Sequence, residues 1–196
     1  MQELILASGS QWRAKMLRDA GVRVRCIESL VDESVVQAMD PVVLATTLAR
    51  AKADVVHQAN SSSWVLGADQ VVFFEGEVFG KPTDPADHLR RLRSMRGCTH
   101  QLVTAFVLLG PNGQVSEGHE RTDLTVRADL SDAELRAYVQ TGEGSGCAGG
   151  YAVEGHGAWL FESINGDWNN VIGLPLFRVL TVLRQYGWVY RGDDAP

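Results

Sequence analysis

Residues 4 to 13 constrain the fold of this chain more than any other stretch. The apolar run Leu4-Ile5-Leu6-Ala7 stops at Ser8-Gly9-Ser10 and passes directly into a helical pattern at Gln11. A short apolar run followed at once by a helix reads as a strand feeding a helix, the opening move of an α/β layer. Small hydroxyl residues at such a junction leave backbone N–H groups open at the helix start. With two hydroxyls and Arg13 beside them, those groups suit a phosphate.

The rest of the chain repeats the alternation of helix and strand. A helix is predicted over 11–20, with Trp12, Met16 and Ala20 on one stripe and Gly21 as its stop. A short strand over 23–27 leads to the acidic loop Val31-Asp32-Glu33-Ser34. Asp40-Pro41 caps a helix reaching about His57, its apolar stripe read as Leu44, Leu48, Ala51 and Val55. Lys52 falls on the flank of that stripe and Arg50 on the opposite side. Residues 64–74 read as a buried strand, 75–77 as a turn, and 78–80 as a returning strand. Asp84-Pro85 caps a helix ending near Gly97, and strands over 101–110 and 119–127 are joined through Pro111-Asn112-Gly113. Ser131 with Glu134 forms a capping box for a helix to about Gln140. Residues 141–150 are Gly-rich, 151–164 are strand-like, and 175–186 form a last helix. The expectation is one domain over 1–191, built on a mixed sheet with flanking helices, and a loose tail at 192–196.

Charge and composition narrow the function. A formal net charge of −6 opposes a nucleic-acid surface, though a local cluster of cations can still serve a small anion. No apolar stretch approaches the roughly 20 residues of a membrane helix, and the start of the chain lacks a basic signal-peptide region. Cys26, Cys98 and Cys147 lie far apart with no metal or redox spacing, so they read as reduced cytosolic thiols.

A few side chains could carry chemistry. Gly144-Ser145-Gly146-Cys147-Ala148-Gly149 is a literal G-x-G-x-x-G, but it follows a helix and precedes a strand pattern, so it reads as a loop at the rim of a site. Asp69 interrupts Val-Leu-Gly-Ala-Asp-Gln-Val-Val. A buried carboxylate needs a cation, a metal or strong donors, so Asp69 is a salt-bridged structural residue, a metal ligand or a general base. Glu33 matters only if the fold brings it beside Asp69. Lys81, fixed before Pro82, is either a surface lysine or an aimed one, and Lys52 either snorkels to water or reaches inward. Together Ser8, Ser10, Arg13, Lys52 and Lys81 supply donors for a polyphosphate, and Glu33 with Asp69 supplies carboxylates for a divalent cation.

The ordered set Leu-Ile-Leu-Ala-Ser-x-Ser, Asp32-Glu33, Leu48-Ala49-x-x-Lys52-Ala53, Gly67-Ala68-Asp69, Gly80-Lys81-Pro82, Ala148-Gly149-x-Tyr151 and Val171-x-Gly173-Leu174-Pro175 resembles the Maf family of nucleoside triphosphate pyrophosphatases. The resemblance covers nearly the whole chain. It implies an elongated α/β fold like that of the inosine triphosphate pyrophosphatases, with two lobes around a cleft. It also implies a cytoplasmic hydrolase that needs a divalent metal (Mg or Mn) and is often a homodimer. By position, Asp69 is implied as the catalytic acid/base and Glu33 as its metal-binding partner. Ser8, Arg13, Lys52 and Lys81 are implied to hold the triphosphate.

The chain departs from the family pattern at informative places. The usual Ser-x-Ser-Pro-Arg-Arg is here Ser8-Gly9-Ser10-Gln11-Trp12-Arg13, so an arginine is replaced by an indole. Trp12 either packs in the core with Met16 or faces the base. Gln70 follows Asp69 in place of threonine, and Glu154 stands where glutamine is common. Trp12, Gln70 and Glu154 together resemble the subgroup acting on 7-methyl-GTP. A cationic methylated purine stacks well on tryptophan, and a carboxylate can accept from guanine N1–H and N2–H₂. The alternatives are a dTTP/UTP pyrophosphatase of the same family and a nucleotide-binding regulator of cell division or septum formation.

Overall fold

A computed structural model describes residues 2–33, 36, 38–190 and 192. The elements run β1 (Leu4–Leu6), α1 (Gln11–Asp19), β2 (Val24–Cys26), α2 (Pro41–Gln58), β3 (Trp64–Phe74), β4 (Glu77–Phe79), α3 (Pro85–Met95), β5 (Thr99–Leu109), β6 (Val115–Val126), α4 (Asp132–Gln140), β7 (Phe161–Asn165), α5 (Trp168–Ile172) and α6 (Leu176–Gln185). Among the described residues, seven strands form one mixed sheet in the order β2-β1-β3-β5-β6-β7, with β4 pairing β3. β1 runs parallel to both β2 and β3, whereas β4 is antiparallel to β3 and β7 to β6. The fold is mixed α/β, as expected. No helix among the described residues is long and apolar enough to cross a membrane.

The chain divides into two compact units. The first holds Met1–Asp69, Thr104–Glu120 and Gly173–Pro196; the second holds Gln70–Val103 and Arg121–Ile172. In the first unit, strand alternation sends Leu4, Leu6, Trp64, Leu66 and Ala68 into a core with Ala14 and Leu17 of α1 and Val179 and Leu183 of α6. The opposite parity, Ile5, Ala7 and Val65, packs with Ala49, Ala53 and Val56 of α2. The second unit has its own core, in which Phe74, Leu92, Met95, Leu124, Leu135, Tyr138 and Tyr151 meet.

Local signals place the helix starts. Asp40 accepts from Val42 and Val43 N–H, Asp84 from Ala86 and Asp87 N–H, and Ser131 forms its capping box with Glu134. Several expectations need correction. The buried face of α2 is Pro41, Ala45, Leu48, Ala49, Lys52, Ala53 and Val56, while Val55 is exposed. Small side chains carry this face because the helix lies close on the sheet: a Cβ at Gly67 would fall 2.2 Å from the Ala49 carbonyl oxygen. Lys52 therefore sits within the buried face, not on its flank. Residues 151–164 are not one strand. Only Phe161–Asn165 is, and a 3-10 turn, His156–Leu160, precedes it. The short helix α5 was not anticipated. Ser34 of the acidic loop and all of the expected loose tail, 192–196, except Gly192 lie outside the described residues.

Candidate active site

The strand-to-helix junction is built as the opening residues suggest. Ser10 caps α1 and accepts from Arg13 N–H at 3.3 Å, and Ser8 Oγ accepts from Ser10 N–H at 3.1 Å. Both hydroxyl oxygens thus accept within the loop, and each hydroxyl keeps a proton to donate. No acidic side chain occupies the first turn of α1, so the positive end of the helix is not opposed there.

Arg13 is half-buried and does more than wait for an anion. Its Nε donates to the Gly173 carbonyl at 2.7 Å and Nη1 to the Ala68 carbonyl at 2.8 Å. Burial lowers its pKa from the ordinary value, opposed by the charges of Asp69 and Glu33. Arg13 therefore ties α1 to the strand residue next to Asp69 and to the segment after α5. The sequence motif around Gly173 gave no hint of this, because carbonyls far apart in the chain leave no side-chain pattern.

Asp69 shares the parity of Gly67 on β3, which turns it toward α2. There the Lys52 ammonium donates to Asp69 Oδ1 at 2.5 Å and lies 2.7 Å from Glu33 Oε1. Asp69 and Lys52 are both buried, while Glu33 is exposed. One ammonium thus joins the two carboxylates, and the fold brings Glu33 beside Asp69, the condition on which its relevance depended. Burial raises the Asp69 pKa above the usual carboxylate range; Lys52 and Arg13 pull it back, and Glu33 adds to the rise. A buried carboxyl with raised proton affinity suits general acid/base work.

Among the described residues no group of three or more His, Cys, Asp or Glu side chains is placed to hold a metal. Glu33 and Asp69 offer two hard oxygen donors converging on one cationic position. That set fits Mg²⁺, which binds through one or two carboxylates together with substrate phosphates. It does not fit an ion caged by protein alone.

The remaining candidates are less engaged. Trp12 is 51% exposed, and the core residues of α1 are Ala14 and Leu17, so the core-packing alternative for Trp12 is overturned. Lys81 is exposed, and the Gly80 carbonyl before it is pinned by Arg91 Nη1 at 2.8 Å and Gly149 N at 3.3 Å. Gln70 is half-buried and donates through Nε2 to the Asn170 carbonyl at 2.6 Å. Glu154 is exposed on the loop between Tyr151 and the 3-10 turn. Lys81, Gln70 and Glu154 belong to the second unit, whereas Ser8, Ser10, Trp12, Arg13, Glu33, Lys52 and Asp69 belong to the first.

Residues 3–186 match the family model described as Maf-like protein. The chain is 40% identical over 188 residues to the dTTP/UTP pyrophosphatase of Symbiobacterium thermophilum, with 96% of each chain covered. It is 43% identical over 189 residues to a nucleoside triphosphate pyrophosphatase of Synechococcus sp. strain WH7803, covering 93% of this chain and 97% of the relative. Among solved structures, a HAM1 protein from Coxiella burnetii aligns with a TM-score of 0.51 at 14% identity, covering 94% of this chain and 100% of the other. At that identity the likeness concerns the fold alone.

Proposed function

The chain belongs to the Maf family, and from that premise we propose that it is a nucleoside triphosphate pyrophosphatase cutting 7-methyl-GTP to 7-methyl-GMP and pyrophosphate. The observation that carries the reaction is the buried Lys52 ammonium held between Asp69 and Glu33. The charges of Arg13, Lys52, Glu33 and Asp69 cancel, so a triphosphate of charge near −4 calls for further positive charge. A divalent cation held by Glu33 and Asp69 would supply that charge and act as a Lewis acid on the phosphate.

The chain's own residues account for the rest. Asp69, with its raised proton affinity, takes a proton from the water that attacks the α-phosphorus. The bond from that phosphorus to the bridging oxygen breaks, and pyrophosphate leaves with the electron pair. Lys52, Lys81, Arg13 and the N-terminal amides of α1, with the Ser8 and Ser10 hydroxyls, receive the charge that develops.

The base reading rests on Trp12, a large indole left 51% exposed in the first turn of α1. In this proposal the cationic 7-methylguanine stacks on it, an interaction of about 0.5–2 kcal/mol. Glu154 accepts from the guanine edge and Gln70 adds an amide contact. A pyrimidine would leave the Glu154 carboxylate without matching donors. Residues 1–191 are taken as one catalytic domain acting in the cytoplasm on free nucleotide, with a homodimer as the assembly the family implies.

Rates with 7-methyl-GTP, GTP, dTTP and UTP test this directly. 7-Methyl-GTP should be the fastest, and Trp12→Ala should lower its kcat/KM by about tenfold while sparing dTTP. Faster turnover of dTTP and UTP would instead assign this chain the second reading, the substrates named for the Symbiobacterium relative.

A further inference from the structure

The loop that carries Glu154 is tied down by residues to which nothing so far assigns a role. Glu143 follows α4, its own N–H donating to Thr141 Oγ1 at 3.0 Å. Its carboxylate accepts the N–H of His156 at 3.0 Å and that of Gly157 at 2.8 Å, one on each oxygen. Tyr138, buried on α4, accepts the N–H of Ala152 on its hydroxyl oxygen at 3.0 Å. Burial pushes the Glu143 carboxyl up, but the two backbone N–H bonds and His156 outweigh it and hold the group below its ordinary value.

The loop leaves no slack around this anchor. A Cβ at Gly155 would lie 2.0 Å from Glu143 Oε1, and one at Gly157 would lie 2.3 Å from the Ala152 carbonyl oxygen. Residues 152, 156 and 157 are thus held on both sides of Glu154, which itself stays exposed. An exposed carboxylate on a slack loop would reach many places and discriminate poorly. Selective recognition needs it fixed within a fraction of an ångström.

We propose that Glu143 and Tyr138 are positioning residues for base selection, fixing from α4 the loop that presents Glu154. The inference rests on the reading of Glu154 as a base contact. Removing the Glu143 carboxylate leaves two amides without their acceptor, which frees the loop while leaving Asp69 and Lys52 as they are. The consequence falls on the choice of base, not on the phosphate chemistry.

The test compares kcat/KM for 7-methyl-GTP and dTTP in the wild type, Glu143→Ala, Glu143→Gln, Tyr138→Phe, Glu154→Ala and the double variant Glu143→Ala/Glu154→Ala. The ratio of the two values should change at least about tenfold in Glu143→Ala, less in Glu143→Gln, and no further in the double variant than in Glu154→Ala. Tyr138→Phe, which deletes only a hydroxyl, carries the test if Glu143→Ala does not fold. A purely structural role would lower both rates equally and leave the ratio unchanged, which overturns the proposal. If the wild type prefers dTTP, the substrate reading fails. The positioning proposal then still stands if Glu143→Ala and Glu154→Ala shift the ratio together, and falls if they do not.

Discussion

Two buried aspartates, one in each unit, are driven in opposite directions. Asp69 is 6% exposed and Asp87 is 4% exposed, yet the Asp69 carboxyl is raised above its ordinary value and Asp87 lowered below it. Asp87 lies in the first turn of α3, accepts the Thr83 N–H at 2.9 Å, and pairs with Arg90 and Arg91. A backbone donor is the largest of its influences, and burial is outweighed. Asp69 sits mid-strand, where burial dominates and Glu33 adds a second negative charge. A local backbone donor makes one carboxylate a helix fastening, whereas burial raises the proton affinity of the other. The carboxyl with raised proton affinity, beside a lysine and a second acid, is the one the proposed reaction uses.

The sharpest way to break that contrast is substitution by asparagine. Asp69→Asn should lower the hydrolysis rate by roughly 10²–10⁴-fold while nucleotide binding persists, and Asp87→Asn should leave kcat within a factor of about two. Equal losses in both would erase the distinction, and an unchanged rate in Asp69→Asn would remove the base assignment. Next in size is the lysine. Lys52→Met leaves Asp69 buried beside Glu33 without its nearest cation, so chemical denaturation should show a loss of about 3–5 kcal/mol. Adding Asp69→Asn to that variant should restore part of it.

The smallest effect is the pH dependence of stability, where the two aspartates carry opposite signs. From the unfolded value of 3.8, the folded state holds the Asp69 proton more tightly, so its contribution is full below that pH and is lost as pH rises through the raised pKa. Asp87, lowered from the same 3.8, contributes above that pH and loses its contribution as pH falls through the lowered value. Urea unfolding across pH should therefore flatten on the acid side in Asp87→Asn, and show a smaller loss on raising the pH in Asp69→Asn.

Features fixed by neighbours in sequence were the readable ones. The Asp40, Asp84 and Ser131 caps and the Pro111 turn all rest on contacts a few residues long, which leave local patterns. The buried face of α2 was misjudged because Ala49 and Ala53, not the larger Leu44 and Val55, approach Gly67. Hydrophobic size was the wrong guide where close approach decides packing. Residues 151–164 looked like a strand because they are rich in apolar and aromatic side chains, yet Gly155 and Gly157 fold the segment around Glu143. In the site, the residue types were legible but their partnership was not. Lys52 between Glu33 and Asp69, and Arg13 on the Ala68 and Gly173 carbonyls, are contacts across long stretches of chain.

In the proposed reaction the cluster of buried Lys52 and Asp69 with Glu33 directs water to the α-phosphorus. Hydrolysis of 7-methyl-GTP in ¹⁸O-labelled water, followed by phosphorus NMR of the products, tests it most directly. The label should appear in the nucleoside monophosphate with the pyrophosphate unlabelled. Label in pyrophosphate or in free phosphate would place the attack on another phosphorus and contradict the mechanism.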